Sequence, residues 1–275
     1  MKIFRHVIDF YIEASIHVAL AVVSLFWITS FYLNIPYYLN GAFFVFFATI
    51  VGYNFVKYDE LARVKKVELT AKFKAIIVLS FMSALAAFYF FLKLHYVLQL
   101  IAVGSFLLTV LYTLPFLPKH KNLRNFSGIK IYIVALAWAV VTVLMPLAVE
   151  QIDIFKVVVL FVQRFIFIFV LLLIFEINDL NKDAPYLQTI PQKIGIRNTK
   201  KLAYFFTLLF LTLEFLISPL FSSAFLVLFF TTLLLLLFIY FSSNNRNSYY
   251  TSFWVESLPF FWLAMLLIEI ALWSF

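Results

Sequence analysis

Long apolar runs separated by short polar stretches make up most of this chain. Because a membrane-spanning helix needs about 20 apolar residues, windows of that length predict spans at about 10–32, 36–56, 75–92, 96–116, 130–149, 154–175, 202–217, 220–241 and 252–274. Only Ser218 and Pro219 separate the seventh window from the eighth, so one bent element and about eight spans is the alternative to about nine. The pattern predicts an all-α bundle in a single transmembrane domain, residues 1–275.

Composition and charge support a polytopic membrane protein. Hydrophobic residues make up 65% of the chain and charged residues 12%, with a mean hydropathy of +1.04, whereas a soluble domain has about 25% charged residues. With nine spans and a cytoplasmic amino terminus, 18 of the 21 lysines and arginines fall on the cytoplasmic side, as expected for cytoplasmic loops.

The net charge of +8 is therefore a topology signal and does not predict a nucleic-acid partner. It favours contact with anionic lipid head groups or a phosphorylated substrate. The chain has no cysteine, which excludes disulfides, thiolate metal sites and a cysteine nucleophile. We predict an integral protein of the bacterial inner (plasma) membrane.

Two predicted cytoplasmic loops are longer than the others, at 57–74 and 176–201. Each begins where a span brings acidic or amide side chains to the membrane boundary, and each is rich in lysine and arginine. Long ordered loops in compact proteins tend to be functional. We predict that both loops cap one site, at the cytoplasmic mouth of a central cavity in the bundle.

Three carboxylates stand at the start of the second loop, at Glu176, Asp179 and Asp183. Spacings of three and four residues place them on one helix face. Like charges so close together need a counter-ion, and Mg2+ prefers oxygen ligands and commonly joins carboxylates to substrate phosphates. A solvated acidic helix end is the alternative reading of the same three residues.

The sequence around these carboxylates resembles the UbiA-type intramembrane prenyltransferases. Members of that superfamily carry a D-x-x-D-x-x-x-D motif followed by T-L-P-x-x-x-G, and this chain has Glu176-Ile-Asn-Asp179-Leu-Asn-Lys-Asp183, then Thr189-Ile-Pro191 and Gly195. The stretch Tyr-Thr-Leu-Pro-Phe at the end of the fourth span adds to the resemblance. Glutamate stands in place of the first aspartate.

The first aspartate-rich motif of the superfamily, N-D-x-x-D-x-x-x-D, is degraded in this chain. Asn54 is retained, but Phe55, Tyr58 and Ala62 occupy the three aspartate positions. Asp59 and Glu60, which follow Tyr58, are either substitutes for those aspartates or ordinary interfacial charges that balance nearby cations. A shift of one residue rotates a helical side chain by about 100°.

The resemblance implies a Mg2+-dependent membrane prenyltransferase that moves an isoprenoid group from a prenyl diphosphate to a lipophilic or aromatic acceptor. It implies catalytic roles for Asp179, Asp183 and Asn54, and Mg2+ ligands at Glu176, Asp179, Asp183 and Asp59. The predicted diphosphate-binding residues are Lys119, Lys121, Arg124, Lys182, Lys193 and Arg197. The predicted substrate-pocket residues are Tyr58, Tyr112 and Asn178.

Two other functions compete with catalysis. The degraded first motif favours a divergent, non-catalytic member of the same fold that binds a lipid or a partner protein. A transporter is the third hypothesis and rests on Arg164 and a few intramembrane acids, because an ionised side chain inside a span is costly and usually serves a purpose. We expect Arg164 to pair with Glu150 or Asp153 near the far interface.

Overall fold

The computed structural model describes residues 2–64, 70–115, 122–125, 128–147 and 153–273 of the chain. These residues form ten α-helices and no strand. The helices are α1 (Lys2–Glu13), α2 (Ile16–Leu33), α3 (Leu39–Val64), α4 (Ala71–Phe91), α5 (Tyr96–Thr113), α6 (Lys130–Ala139), α7 (Ile154–Asp179), α8 (Ile190–Glu214), α9 (Ser223–Phe241) and α10 (Leu258–Trp273). Two π-helical segments, Val140–Leu144 and Tyr250–Val255, extend α6 and precede α10.

The helices form a closed bundle, which confirms the predicted fold class. From α6 to α10, each helix packs on the next, and α10 returns to pack on α2. The helices α4 and α5 both pack on α3, and the π-helical segment after α6 joins α5 to α2. Helices α2 and α7 are both largely buried, and the apolar side chains of α7 pack against α6, α8 and α2. The elements that carry the predicted carboxylates therefore stand at the centre of the bundle.

Seven helices of the described residues are long and apolar enough to cross a membrane, and Lys130–Leu144 is a shorter apolar helix. The predicted seventh span, 202–217, overlaps the second half of α8 and extends three residues beyond its end, and the first half of α8 is polar. The total of nine spans therefore stays a prediction. The bent-element alternative is wrong, because α8 ends at Glu214 and α9 begins at Ser223. Between them, Pro219 cannot continue a helical hydrogen-bond ladder.

Several boundaries differ from the predicted ones. The predicted first span, 10–32, is divided, because Ser15 adopts a left-handed backbone conformation (φ 62°) between α1 and α2. Helix α3 extends into the predicted loop 57–74, and α7 and α8 extend into the predicted loop 176–201, so that only residues 180–189 join these two helices. The window 130–149 contains α6 and then the π-helical turn.

Arg164 is buried in α7, and its partners among the described residues do not include the predicted Asp153. Its guanidinium donates to the Leu25 carbonyl oxygen at 3.0 Å and to Thr29 Oγ1 at 3.3 Å, and it stacks over the Trp262 ring. Asp153 instead caps α7 by accepting a hydrogen bond from the Lys156 N–H, and Glu150 lies outside the described residues. Arg164 therefore joins α7 to α2 and α10 as part of the packed interior.

Candidate functional site

The site lies where α7 ends at Asp179, and we call this end of the bundle the carboxylate end. The ends of α3 and α5 and the starts of α6 and α8 lie at the same end, because each helix reverses the direction of the one before it. A cavity of about 810 Å³ runs into the bundle from here, between α3, α4, α5, α6 and α7.

The cavity wall is almost entirely apolar and aromatic. Its aromatic lining residues are Phe44, Tyr53, Phe55, Phe88, Phe91, Phe106, Tyr112, Trp138 and Phe175. The Trp138 ring donates its N–H to the Tyr53 hydroxyl at 2.6 Å, which fixes both rings at the wall. Charged lining residues are Arg124, Lys130 and Glu256. A wall of this kind suits a hydrocarbon chain with a charged or polar group at one end.

One side of the cavity is open toward the membrane-facing surface. Phe88 on α4 and Phe106 on α5 line the cavity, yet they are 62% and 63% exposed. Val103, one turn before Phe106, also lines the cavity and is 44% exposed. Helices α4 and α5 both pack on α3. Because the same side chains line the cavity and are exposed, they separate the cavity from the surface on this side. We call this side the α4–α5 side.

A cluster of charged residues stands at the carboxylate end of the cavity. Lys130 Nζ lies 3.8 Å from Asp183 Oδ2, and Glu176 interacts electrostatically with both. The Arg124 guanidinium lines the cavity and donates to the Val56 carbonyl oxygen of α3 at 3.1 Å. The Tyr112 hydroxyl interacts electrostatically with Arg124, Glu176 and Asp183. Residues from α5, α6, α7 and the following loops thus converge here.

Asp183 carries the most available carboxylate oxygen of the cluster. Its Oδ2 is buried and has no hydrogen-bond partner among the described residues. Burial raises the pKa of the Asp183 carboxyl, whereas Lys130 opposes that rise. A buried oxygen without a donor is costly, so this atom is suited to a cation or a ligand hydrogen bond.

Glu176 and Asp179 are already engaged. The Glu176 Oε2 accepts the Ile190 N–H at 3.0 Å, at the start of α8, where backbone N–H groups are free and negative charge is stabilised. Asp179 forms an ion pair with Lys182 at 2.9 Å on the exposed surface. Among the described residues, no three acidic or histidine side chains stand close enough to hold a metal ion.

These carboxylates fit a Mg2+ that is shared with a phosphorylated ligand rather than one enclosed by protein. Mg2+ is commonly held by one or two carboxylates together with substrate phosphates and water. Asp183 supplies a buried oxygen that accepts no hydrogen bond, and Asp179, four residues earlier at the end of α7, has one oxygen outside its ion pair. The Mg2+ prediction itself stays a prediction.

The α3 residues that were compared with the first motif bind the end of α1. Asn54 donates to the Ala14 carbonyl oxygen and accepts from Ser15. Lys57 donates to the Glu13 carbonyl oxygen at 3.2 Å, and the Tyr58 hydroxyl donates to the same oxygen at 2.9 Å. Free carbonyl groups at a helix carboxyl end attract such donors. This part of α3 therefore anchors α1.

The other predicted site residues have different surroundings. Asn178 is buried and donates to Thr251 Oγ1 at 3.4 Å, away from the cavity lining. Lys193 lies beside Gly128, whereas Arg197 is exposed on α8. Asp59 is half-buried on α3 and belongs to no group of metal-binding side chains with Asp179 and Asp183. Lys119 and Lys121 lie outside the described residues.

Two charged lining residues, Lys130 and Glu256, are absent from the sequence-based site. The sequence around Lys130 is typical of a lysine at the end of a membrane span. It therefore does not distinguish a site residue from an ordinary interfacial lysine before the contact with Asp183 is known. Glu256 lies far along the chain from both motifs. Its place in the cavity depends on the π-helical segment before it, which no periodicity argument predicts.

Removing the Glu176 carboxylate is expected to loosen the junction between α7 and α8. Hydrogen bonds to charged groups contribute about 1.5–3 kcal/mol, so Glu176→Ala should lower the free energy of unfolding by about that amount and speed amide exchange at Ile190. Glu176→Gln should restore part of the loss. As a control, Asp179→Ala removes an exposed pair worth about 0–1 kcal/mol. Equal unfolding free energies for Glu176→Ala and Asp179→Ala would contradict this role.

Comparison with known proteins identifies the fold. No protein-family model matches the chain, and no curated protein matches it. A solved structure of digeranylgeranylglyceryl phosphate synthase in membranes is similar, with 17% sequence identity over 95% of this chain and 96% of that chain and a TM-score of 0.55. The chain therefore shares the helical fold of that membrane synthase along nearly its whole length.

Proposed function

We propose that this protein is a divergent UbiA-type prenyltransferase that transfers an isoprenoid group from a prenyl diphosphate to a lipophilic or aromatic acceptor within the membrane. The observation that carries the proposal is the apolar cavity of about 810 Å³, which has Arg124 and Lys130 in its wall. The similar solved structure supports it, since that synthase is named for a lipid with geranylgeranyl chains.

The cavity suits the isoprenoid part of the donor. Burying each CH2 group is worth about 0.8 kcal/mol, so a branched hydrocarbon chain gains substantial binding energy along the wall. Breaking the allylic carbon–oxygen bond leaves positive charge on that carbon. The rings of Tyr53, Trp138 and Phe175 are suited to stabilise this charge through their negative faces.

The charged cluster suits the diphosphate. Arg124 and Lys130 would donate hydrogen bonds to its oxygens, and such fixed donors act most strongly where negative charge develops in a site screened from water. Asp183, with Asp179, would hold Mg2+ against the same group. When bound, Mg2+ would neutralise charge on the departing diphosphate.

We place the amino terminus and the carboxylate end on the cytoplasmic side of a bacterial inner membrane. The excess of lysine and arginine in the connections at this end supports that orientation. A soluble prenyl diphosphate headgroup would then meet the charged cluster from the cytoplasm, while its hydrocarbon chain lies in the cavity.

The direct test is diphosphate release by purified protein in liposomes. We expect Mg2+-dependent release with at least one donor from a panel of geranyl, farnesyl, geranylgeranyl and longer prenyl diphosphates, offered with neutral and aromatic acceptor lipids. EDTA should abolish the release, and added Mg2+ should restore it. Absence of both binding and turnover with every donor would overturn the proposal.

A non-catalytic, lipid-binding protein of the same fold is the second candidate. The observation that favours it is the engagement of Asn54, Lys57 and Tyr58 with the end of α1, which leaves these groups occupied by protein. Saturable binding of prenyl lipids without any diphosphate release, in the presence of Mg2+, would support this candidate over catalysis.

A further inference from the structure

Glu256 is a carboxylate in the wall of an otherwise apolar cavity. It follows the π-helical segment Tyr250–Val255 and precedes α10, and its own N–H donates to the Thr251 carbonyl oxygen at 3.1 Å. This five-residue bond is the π-helical pattern, which occurs often at functional sites. The π-helical turn thus determines the direction in which the Glu256 side chain leaves the helix.

The Glu256 carboxylate has no hydrogen-bond or ion-pair partner among the described residues. Among the hydrogen bonds and ion pairs of the described residues, none uses its oxygens, and it lines the cavity together with its neighbour Pro259. Lys57 attracts it electrostatically, but the Lys57 ammonium hydrogen-bonds to backbone carbonyl oxygens at the end of α1. Tyr53 and Tyr11 are the other titratable groups that interact with it electrostatically. The carboxylate remains free for a ligand.

Glu256 and Arg124 lie at similar depth in the bundle. Glu256 interacts with Tyr53 and Lys57 of α3, and Arg124 binds the Val56 carbonyl oxygen of the same helix. These three α3 residues span about one helical turn, roughly 5.4 Å of rise. Arg124 and Lys130 therefore lie on one side of the cavity mouth, and the Glu256 carboxylate lies near them.

We infer that Glu256 binds the polar head of a second, lipophilic ligand whose head is a hydrogen-bond donor, namely a hydroxyl or an amine. An anionic head is disfavoured beside a carboxylate with apolar surroundings, because burying like charges together is costly. Arg124 and Lys130 bind the diphosphate of the donor. The charge of each ligand's head therefore decides which of the two ligands binds beside Glu256.

In the proposed reaction this ligand is the acceptor, and for that step the inference rests on the proposed function. The acceptor oxygen or nitrogen bonds to the allylic carbon as the carbon–oxygen bond to diphosphate breaks, and diphosphate leaves with the bonding electron pair. Glu256 takes the proton that the acceptor head releases. A carboxylate within hydrogen-bond reach of that head is suited to this transfer.

The test uses ligand binding, so that it is independent of turnover. Full-length protein in nanodiscs is exposed to three matched diazirine-bearing C16 lipids, an amine, an alcohol and a carboxylic acid, and photolabelling of cavity peptides is quantified by mass spectrometry. We expect the amine and the alcohol to label the cavity and the acid to label it at least about tenfold less. Glu256→Gln should reduce amine labelling at least tenfold, and Glu256→Lys should favour the acid.

The matched control is Glu269→Gln, which alters a glutamate of the following helix, α10, that does not line the cavity. It should leave all three labelling yields unchanged. Equal amine labelling in the native protein and Glu256→Gln, with an unchanged unfolding temperature, would overturn the inference, as would preferential labelling by the acid. If labelling overturns the role of Glu256 but diphosphate release persists, the proposed function still holds. If labelling depends on the head group but no diphosphate is released, Glu256 still binds the ligand and only the proposed reaction is wrong.

Discussion

Asp183→Asn is expected to lower Mg2+-dependent diphosphate release at least about 100-fold, because it removes the charge of a buried carboxylate oxygen that accepts no hydrogen bond and lies beside Lys130. The substitution keeps the shape and removes the charge. Loss of one fixed electrostatic group in such a site typically costs about 10²–10³ in rate. Initial rates over a Mg2+ titration measure the effect, and the Mg2+ concentration needed for half-maximal rate should rise.

Asp153→Asn is the matched control for this substitution. Asp153 stands at the other end of α7, about 39 Å away along a helix of 26 residues at about 1.5 Å per residue. Asparagine and aspartate are comparable helix N-caps, so folding should be preserved. Full Mg2+-dependent release by Asp183→Asn, with the control also active, would show that this carboxylate does not serve the reaction.

Gly52→Leu is expected to shorten the donor that the cavity accepts by at least one isoprene unit. Gly52 lines the cavity on α3, and a Cβ at this position would lie 3.9 Å from Thr109 Cγ2 of α5. A leucine side chain would then extend into the lumen between these helices. The apparent affinity for the longest donor should fall at least about tenfold, since several CH2 groups at about 0.8 kcal/mol each lose their contacts.

The expected loss is not a folding defect. Replacing glycine in a helix interior by leucine favours the helix by up to about 1 kcal/mol. Gly104→Leu is the matched control, because this glycine of α5 meets open space and does not line the cavity. Competition between farnesyl, geranylgeranyl and longer donors measures the preference. An unchanged order of preference in Gly52→Leu would show that donors do not occupy this part of the cavity.

The fold class followed from the apolar windows because membrane insertion imposes a minimum length on each helix. The helix starts at Ser222 and Asp153 also follow local rules, since each side chain caps its own helix. The division between α1 and α2 did not follow. It depends on the left-handed conformation of Ser15, and Ser15 is held by a hydrogen bond to Asn54, 39 residues away.

The site was predictable only in part, for a related reason. The spacing of Glu176, Asp179 and Asp183 predicts one shared helix face, but α7 ends at Asp179, so Asp183 lies beyond the helix. The spacing also does not reveal that Glu176 binds the start of α8. Asn54 was predicted to be catalytic, but its side chain donates to the Ala14 carbonyl oxygen just after α1. Tertiary contacts, rather than local pattern, decide which of the polar groups remains available.

The open α4–α5 side of the cavity determines the concentration unit in which the affinity for a lipophilic ligand should be given. Phe88 and Phe106 line the cavity and are exposed on apolar helices that are long enough to cross a membrane, so we expect bilayer hydrocarbon, rather than water, outside them. A lipophilic ligand that enters there is at equilibrium with the lipid phase, so its occupancy follows its mole fraction among lipids. Diluting the protein with more bilayer at constant total ligand then lowers saturation, even though the molar concentration in the sample is unchanged.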